Sequence, residues 1–149
     1  MPAASSVSNR PGWYLVPIAQ GFRLHLCVSG EALADVRRQI HAFLHELAQP
    51  DTVSTAQLLM TELLTNALEA CGPHAPVVAV VRVGRTSISL AVHDPDAGHM
   101  PPAATAMPGL WAVSGRGLPL VEALGAGPVH AKVTALGKQI ICRIPNPAA

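Results

Sequence analysis

Glu62 and Asn66, Asp94, and Gly115-Arg116-Gly117 ahead of Leu118 are the positions whose residue types and spacing could do chemistry. At about 100° per residue, Glu62, Asn66 and Glu69 fall in one narrow arc of a helix, with Leu59, Leu63, Leu64, Ala67 and Leu68 spread around the remainder. An Asn carboxamide oxygen is a hard, neutral ligand suited to Mg²⁺, an ion that takes few protein ligands and keeps waters and substrate phosphates. A Glu one turn away can accept a proton from a hydroxyl or a water near a γ-phosphate. Ile88, Leu90, Val92 and Asp94 share parity along a strand, so the pattern that buries the first three aims the carboxylate inward. Such a carboxylate needs a partner. No basic residue adjoins it in sequence, and the exocyclic amino group of adenine is a donor that would satisfy it. Gly115, Arg116 and Gly117 offer backbone N–H groups, a helix N-terminus and a guanidinium, all of which phosphates favour. Each feature has an ordinary alternative: a solvated helix face, a strand-end Asp in a turn with Pro95, a plain glycine turn. The three together point to ATP with Mg²⁺.

The elements that must position these residues follow from periodicity. Residues 1–20, rich in Ser, Ala and Pro without a period that buries a face, read as a flexible arm, and a single domain occupies 21–149. Phe22, Leu24 and Leu26 alternate with polar neighbours as in a half-buried strand. Leu33, Val36, Ile40, Phe43, Leu44 and Leu47 recur at helical spacing, and Pro50 reads as a stop. Thr52 or Ser54 can cap a second helix that runs to Gly72-Pro73. Residues 77–83 and 87–93 form a predicted antiparallel hairpin about Gly84-Arg85-Thr86. Residues 95–114 read as a long Pro-rich loop, 118–124 as a short helix, and 129–134 with 139–144 as a closing hairpin in whose turn Lys138 is expected to be solvated. Strands and helices grouped in this order predict an α+β fold, a two-layer sandwich with a mostly antiparallel sheet and three helices on one face.

Composition narrows the functional classes. A chain of 149 residues suits one domain that buries roughly two-thirds of its extended surface. A formal charge of +1 gives no field for nucleic acid or anionic membrane, and an aromatic content of 3% gives no base-stacking platform. Cys27, Cys71 and Cys142 are odd in number and widely spaced, which suggests neither a disulfide framework nor a zinc site. No apolar run approaches the roughly 20 residues of a membrane span, and the N-terminus lacks the apolar stretch of a secretory signal. A soluble cytoplasmic protein is expected. There is no P-loop sequence and no GxGxxG after a strand. His41 and His45, one turn apart without a third ligand, read as surface histidines.

The motifs at Glu62 and Asn66, at Asp94, and at Gly115 to Gly117, in their inferred helix, strand and loop contexts, resemble the GHKL or Bergerat-type ATPase superfamily, particularly bacterial anti-sigma factor serine/threonine kinases, over residues 22–144. The resemblance implies that Asn66 holds Mg²⁺, that Glu62 serves as base, and that Asp94 contacts adenine. It further implies that Gly115, Arg116 and Gly117 bind phosphate and that Leu118 belongs to the same nucleotide site, with Gly98 the matching glycine of a DxGxG box in which Asp96 replaces the first glycine. By the same resemblance the partners are a sigma factor and an anti-anti-sigma factor-like protein that accepts phosphate, with a homodimer through the first strand and helix. Two other readings stay open: a catalytically silent regulatory module acting by protein contact, and a slow ATP hydrolase.

Overall fold

The computed structural model describes residues 12–96 and 129–147. Six strands form one sheet in the order β1-β2-β3-β4-β6-β5, every neighbouring pair antiparallel. In chain order they are β1 Tyr14–Ile18, β2 Gly21–Cys27, β3 Pro76–Val83, β4 Ser87–Asp94, β5 His130–Thr134 and β6 Gly137–Pro145. The helices α1 Gly30–Leu44 and α2 Pro50–Cys71 come between β2 and β3 and pack together, α1 reaching β2 and α2 lying over β4 and β6. Two helices, not three, are present among the described residues. The expected helix at 118–124 lies outside them, as does most of the expected loop at 95–114.

Alternation decides which sheet face is covered. Leu24 and Leu26 of β2, Val77, Ala79 and Val81 of β3, Ile88, Leu90 and Val92 of β4, and Ile140, Cys142 and Ile144 of β6 are all buried. They meet Ala32, Val36, Ile40 and Leu44 of α1 and Leu59, Met60, Leu63, Leu64 and Ala67 of α2 in one core. The i, i+4 run on α1 gives that helix a single buried stripe. Burial of each Val, Leu, Ile or Met side chain among them contributes about 1.5–3 kcal/mol, which holds the helical layer on the sheet.

Three expectations change. Tyr14–Ile18, placed in the flexible arm, is an edge strand whose residues pair with Gly21–His25 across a turn at Ala19 and Gln20. None of its five side chains is fully buried, so backbone pairing holds it and no amphipathic period announces it. Pro17 is tolerated because an edge strand has a free side. Pro50, read as a stop, opens α2: its missing N–H and fixed φ suit the first turn of a helix. Neither Thr52 nor Ser54 caps that helix, since both lie inside it and Gln49 precedes it without a side-chain cap. Its far end is as expected, with Gly72 at φ +88° closing on the Leu68 carbonyl. On α1, the Ser29 hydroxyl accepts from Ala32 N at 3.2 Å.

At the turn between β5 and β6, Gly137 has φ +143°, and a Cβ there would fall on the Asp94 carbonyl oxygen and within 2.6 Å of Pro95 Cα. Backbone, not a movable side chain, fills that space. Gly137→Ala should therefore lower stability by about 3 kcal/mol, read as a shift in the denaturant midpoint. An unchanged midpoint would show that the two strands do not approach so closely.

Candidate nucleotide-binding site

α2 and the adjoining ends of β4 and β6 carry the candidate side chains. Glu62 and Asn66 lie one turn apart on α2, each half-buried, beside the stripe made by Leu59, Leu63 and Ala67. Among the described residues, Glu62 Oε1 and Asn66 Nδ2 are buried atoms with no hydrogen-bond partner. Most buried polar groups in folded proteins are paired, and leaving one unmet costs about 1–3 kcal/mol. Asn146 Oδ1 is likewise unpartnered among the described residues, but Glu62 and Asn66 set two such atoms on one arc of a helix. Glu69, the third residue of the predicted arc, is exposed.

Asp94 ends β4 on the buried face, as parity requires, and is 1% exposed. Its partner is supplied by the protein. Lys138 lies directly across on β6, in register with Asp94, and its Nζ donates to Asp94 Oδ1 at 3.0 Å. Lys138, expected as a solvated turn lysine, is 3% exposed, because the turn is only Ala135-Leu136 and the strand already runs from Gly137. The signal was available: Lys138, Ile140, Cys142 and Ile144 share parity, the rule that placed Asp94 inside. Lys138 also donates to the Asp96 carbonyl at 2.9 Å, and Asp96 N donates to Asp94 Oδ1 at 2.8 Å, closing an Asx-type turn. Asp96 thus wraps Asp94 and Lys138 with its backbone.

The last residue of α2 completes this cluster. Cys71 Sγ donates to Asp94 Oδ1 at 3.5 Å, tying the helix end to the strand end. Burial, then the charge of Asp94 and this hydrogen bond, push the Cys71 thiol up to about 11, and burial alone pushes Cys142 to about 12. Reaction with iodoacetamide needs the thiolate, so at pH 8 Cys71 should be alkylated about a hundredfold more slowly than an unperturbed thiol, the rate climbing as pH approaches 11. Mass spectrometry of the Cys71 peptide measures this. Rapid labelling would contradict the contact with Asp94.

Gly98, Gly115, Arg116, Gly117 and Leu118, the other predicted site residues, lie outside the described residues. His41 and His45 are exposed and stacked at 5.4 Å, and the described residues contain no group of three His, Cys, Asp or Glu able to hold a metal ion. No helix among them is long and apolar enough to cross a membrane. A separate groove of about 510 Å³ is lined by Ala34, Arg37, Arg38 and His41 of α1 and Gln57 of α2.

A helix pair packed on an antiparallel sheet, with a Glu/Asn helix beside an inward Asp at a strand end, is the arrangement expected of a GHKL-type ATPase domain. Residues 28–140 match the description of the histidine kinase-like ATPase domain, a span of more than half the chain. The chain belongs to the histidine kinase-like ATPase domain family. The match runs from the residue before Ser29, which caps α1, to Ile140 on β6, and so contains Glu62, Asn66, Asp94 and Lys138 of this GHKL-type domain. Comparison with curated proteins finds no match.

Proposed function

We propose that this protein binds ATP with Mg²⁺ and acts as an anti-sigma factor-like serine/threonine kinase, phosphorylating a hydroxyl on a small protein antagonist and holding a sigma factor when that antagonist is absent. The observation that carries the reading is the pair of unmet buried atoms, Glu62 Oε1 and Asn66 Nδ2, on the helix that packs against the Asp94 strand. They fit a bound metal–nucleotide. Asn66, with its carboxamide turned so that the oxygen faces the site, would hold Mg²⁺, which would supply charge neutralisation of the phosphates there.

The chain's own residues divide the remaining work. Asp94 accepts from the adenine amino group. Arg116 and its neighbouring amides at Gly115 and Gly117 hold phosphate, with Gly98 and Leu118 in the same nucleotide site, an electrostatic role that dominates phosphoryl transfer. Glu62 takes the proton of the acceptor hydroxyl as that oxygen bonds to the γ-phosphorus and the bond to the β–γ bridging oxygen breaks, releasing ADP. Family membership supports the ATP part of this reading; the serine acceptor, sigma factor and homodimer rest on the resemblance of the motifs, and the cytoplasmic location on the cysteine pattern and composition.

One observation favours a second reading. Lys138 already neutralises Asp94, as would suit a regulator that keeps the fold and works by protein contact alone. Equilibrium titration with labelled ATP, with and without Mg²⁺, separates the two. The kinase reading expects saturable binding strengthened by the metal; no saturable binding under either condition would favour the contact-only regulator.

A further inference from the structure

The carboxylate of Asp94 is unevenly used. Lys138 Nζ, Asp96 N and Cys71 Sγ all donate to Oδ1, and among the described residues none donates to Oδ2. Lys138 is also incompletely used. An ammonium has three N–H donors, of which Asp94 Oδ1 and Asp96 O take two. Among the described residues the third has no partner. Among the described residues one charged donor and one charged acceptor therefore remain, on side chains only 3% and 1% exposed, where unmet hydrogen bonds are costly.

We propose that Lys138 is a base-reading residue that donates to ring nitrogen N1 of a bound adenine, next to the Asp94 contact with the amino group. The inference rests on the ATP reading above and adds a specificity determinant to it. Adenine presents a donor at position 6 and an acceptor at position 1; guanine presents an acceptor and then a donor, the inverse order. A lone carboxylate can accept from either base. The ammonium beside it fixes the order, because with the ring held in one orientation it would face the N1–H of guanine while the carboxylate faced an oxygen. The register of β4 and β6 sets the two groups side by side, and Asp96 O locks the lysine head in place, so the pair is preorganised for this edge.

The full chain titrated with ATP and with 1-deaza-ATP, in which a C–H replaces N1, tests this. The intact protein should bind ATP about ten- to a hundredfold more tightly than the analogue, the worth of a hydrogen bond to a charged group. In Lys138→Met that ratio should collapse to about one. Because this variant strands the Asp94 charge and is prone to unfold, the intact protein is also read by the ¹⁵N resonance of the Lys138 ammonium, which should move with ATP and stay in place with 1-deaza-ATP. Equal binding of the two nucleotides, a ratio unchanged in folded Lys138→Met, or equal ammonium shifts would overturn the assignment while ATP binding stands. Absence of any saturable ATP binding would remove both.

Discussion

Asn66→Ala should abolish Mg²⁺-dependent phosphate transfer and leave the protein as stable as before, or slightly more so. The two halves of this expectation have one cause. Among the described residues Asn66 Nδ2 is buried without a partner, so truncating the side chain removes an unmet polar group there. A residue that costs stability where it stands is kept for what it binds, the usual trade between activity and stability. Losing the proposed metal contact should reduce transfer by about a thousandfold or more, since metal and positioned charge supply most of the catalysis of phosphoryl transfer. Thermal unfolding and a phosphorylation assay with Mg²⁺ measure the two halves. Retained transfer would refute the role of Asn66, and a marked loss of stability would show that its amide is paired within the fold.

Asp94 has a structural role in its ion pair with Lys138 and, in the proposed reading, a binding role, and substitutions can separate them. Asp94→Leu alone strands the Lys138 ammonium in the core, and breaking a buried ion pair in this way costs about 3–5 kcal/mol. Replacing both partners, Asp94→Leu with Lys138→Met, removes both charges and fills their space with apolar groups, which is often neutral or stabilising. The double variant should recover at least half of the loss, as measured by denaturant midpoint, yet bind no ATP. A double variant as unstable as Asp94→Leu would mean that the hydrogen bonds from Asp96 N and Cys71, more than the charge of Lys138, set the cost. Recovered ATP binding in a stable double variant would mean that the base is read elsewhere.

The amphipathic elements were legible in the sequence because each buries one face. The stripe of α1, the long α2 up to Gly72 and the hairpin of β3 and β4 follow from helical or alternating spacing. What was not legible lacked that signature. β1 exposes or half-exposes all five side chains and is held by backbone pairing, while Pro50 carries the same local signal at the end of one helix and the start of the next. In the site, the inward aim of Asp94 was readable from parity along β4. Its partner lies 44 residues further on, where strand pairing and not sequence proximity brings Lys138 across from it. The turn at Ala135-Leu136 is shorter than its composition suggested, and that difference moves Lys138 from solvent into the core.

The central claim is that Glu62, Asn66, Asp94 and Lys138 surround one nucleotide. Titrating ¹⁵N-labelled protein with Mg²⁺-ATP and following amide and side-chain resonances tests it most directly. Saturable shifts at the Asn66 carboxamide, the Asp94 and Asp96 amides and the Lys138 ammonium are the predicted result. Shifts confined to Arg37, Arg38, His41 and Gln57, around the groove between α1 and α2, or no saturable shifts at all, would contradict it.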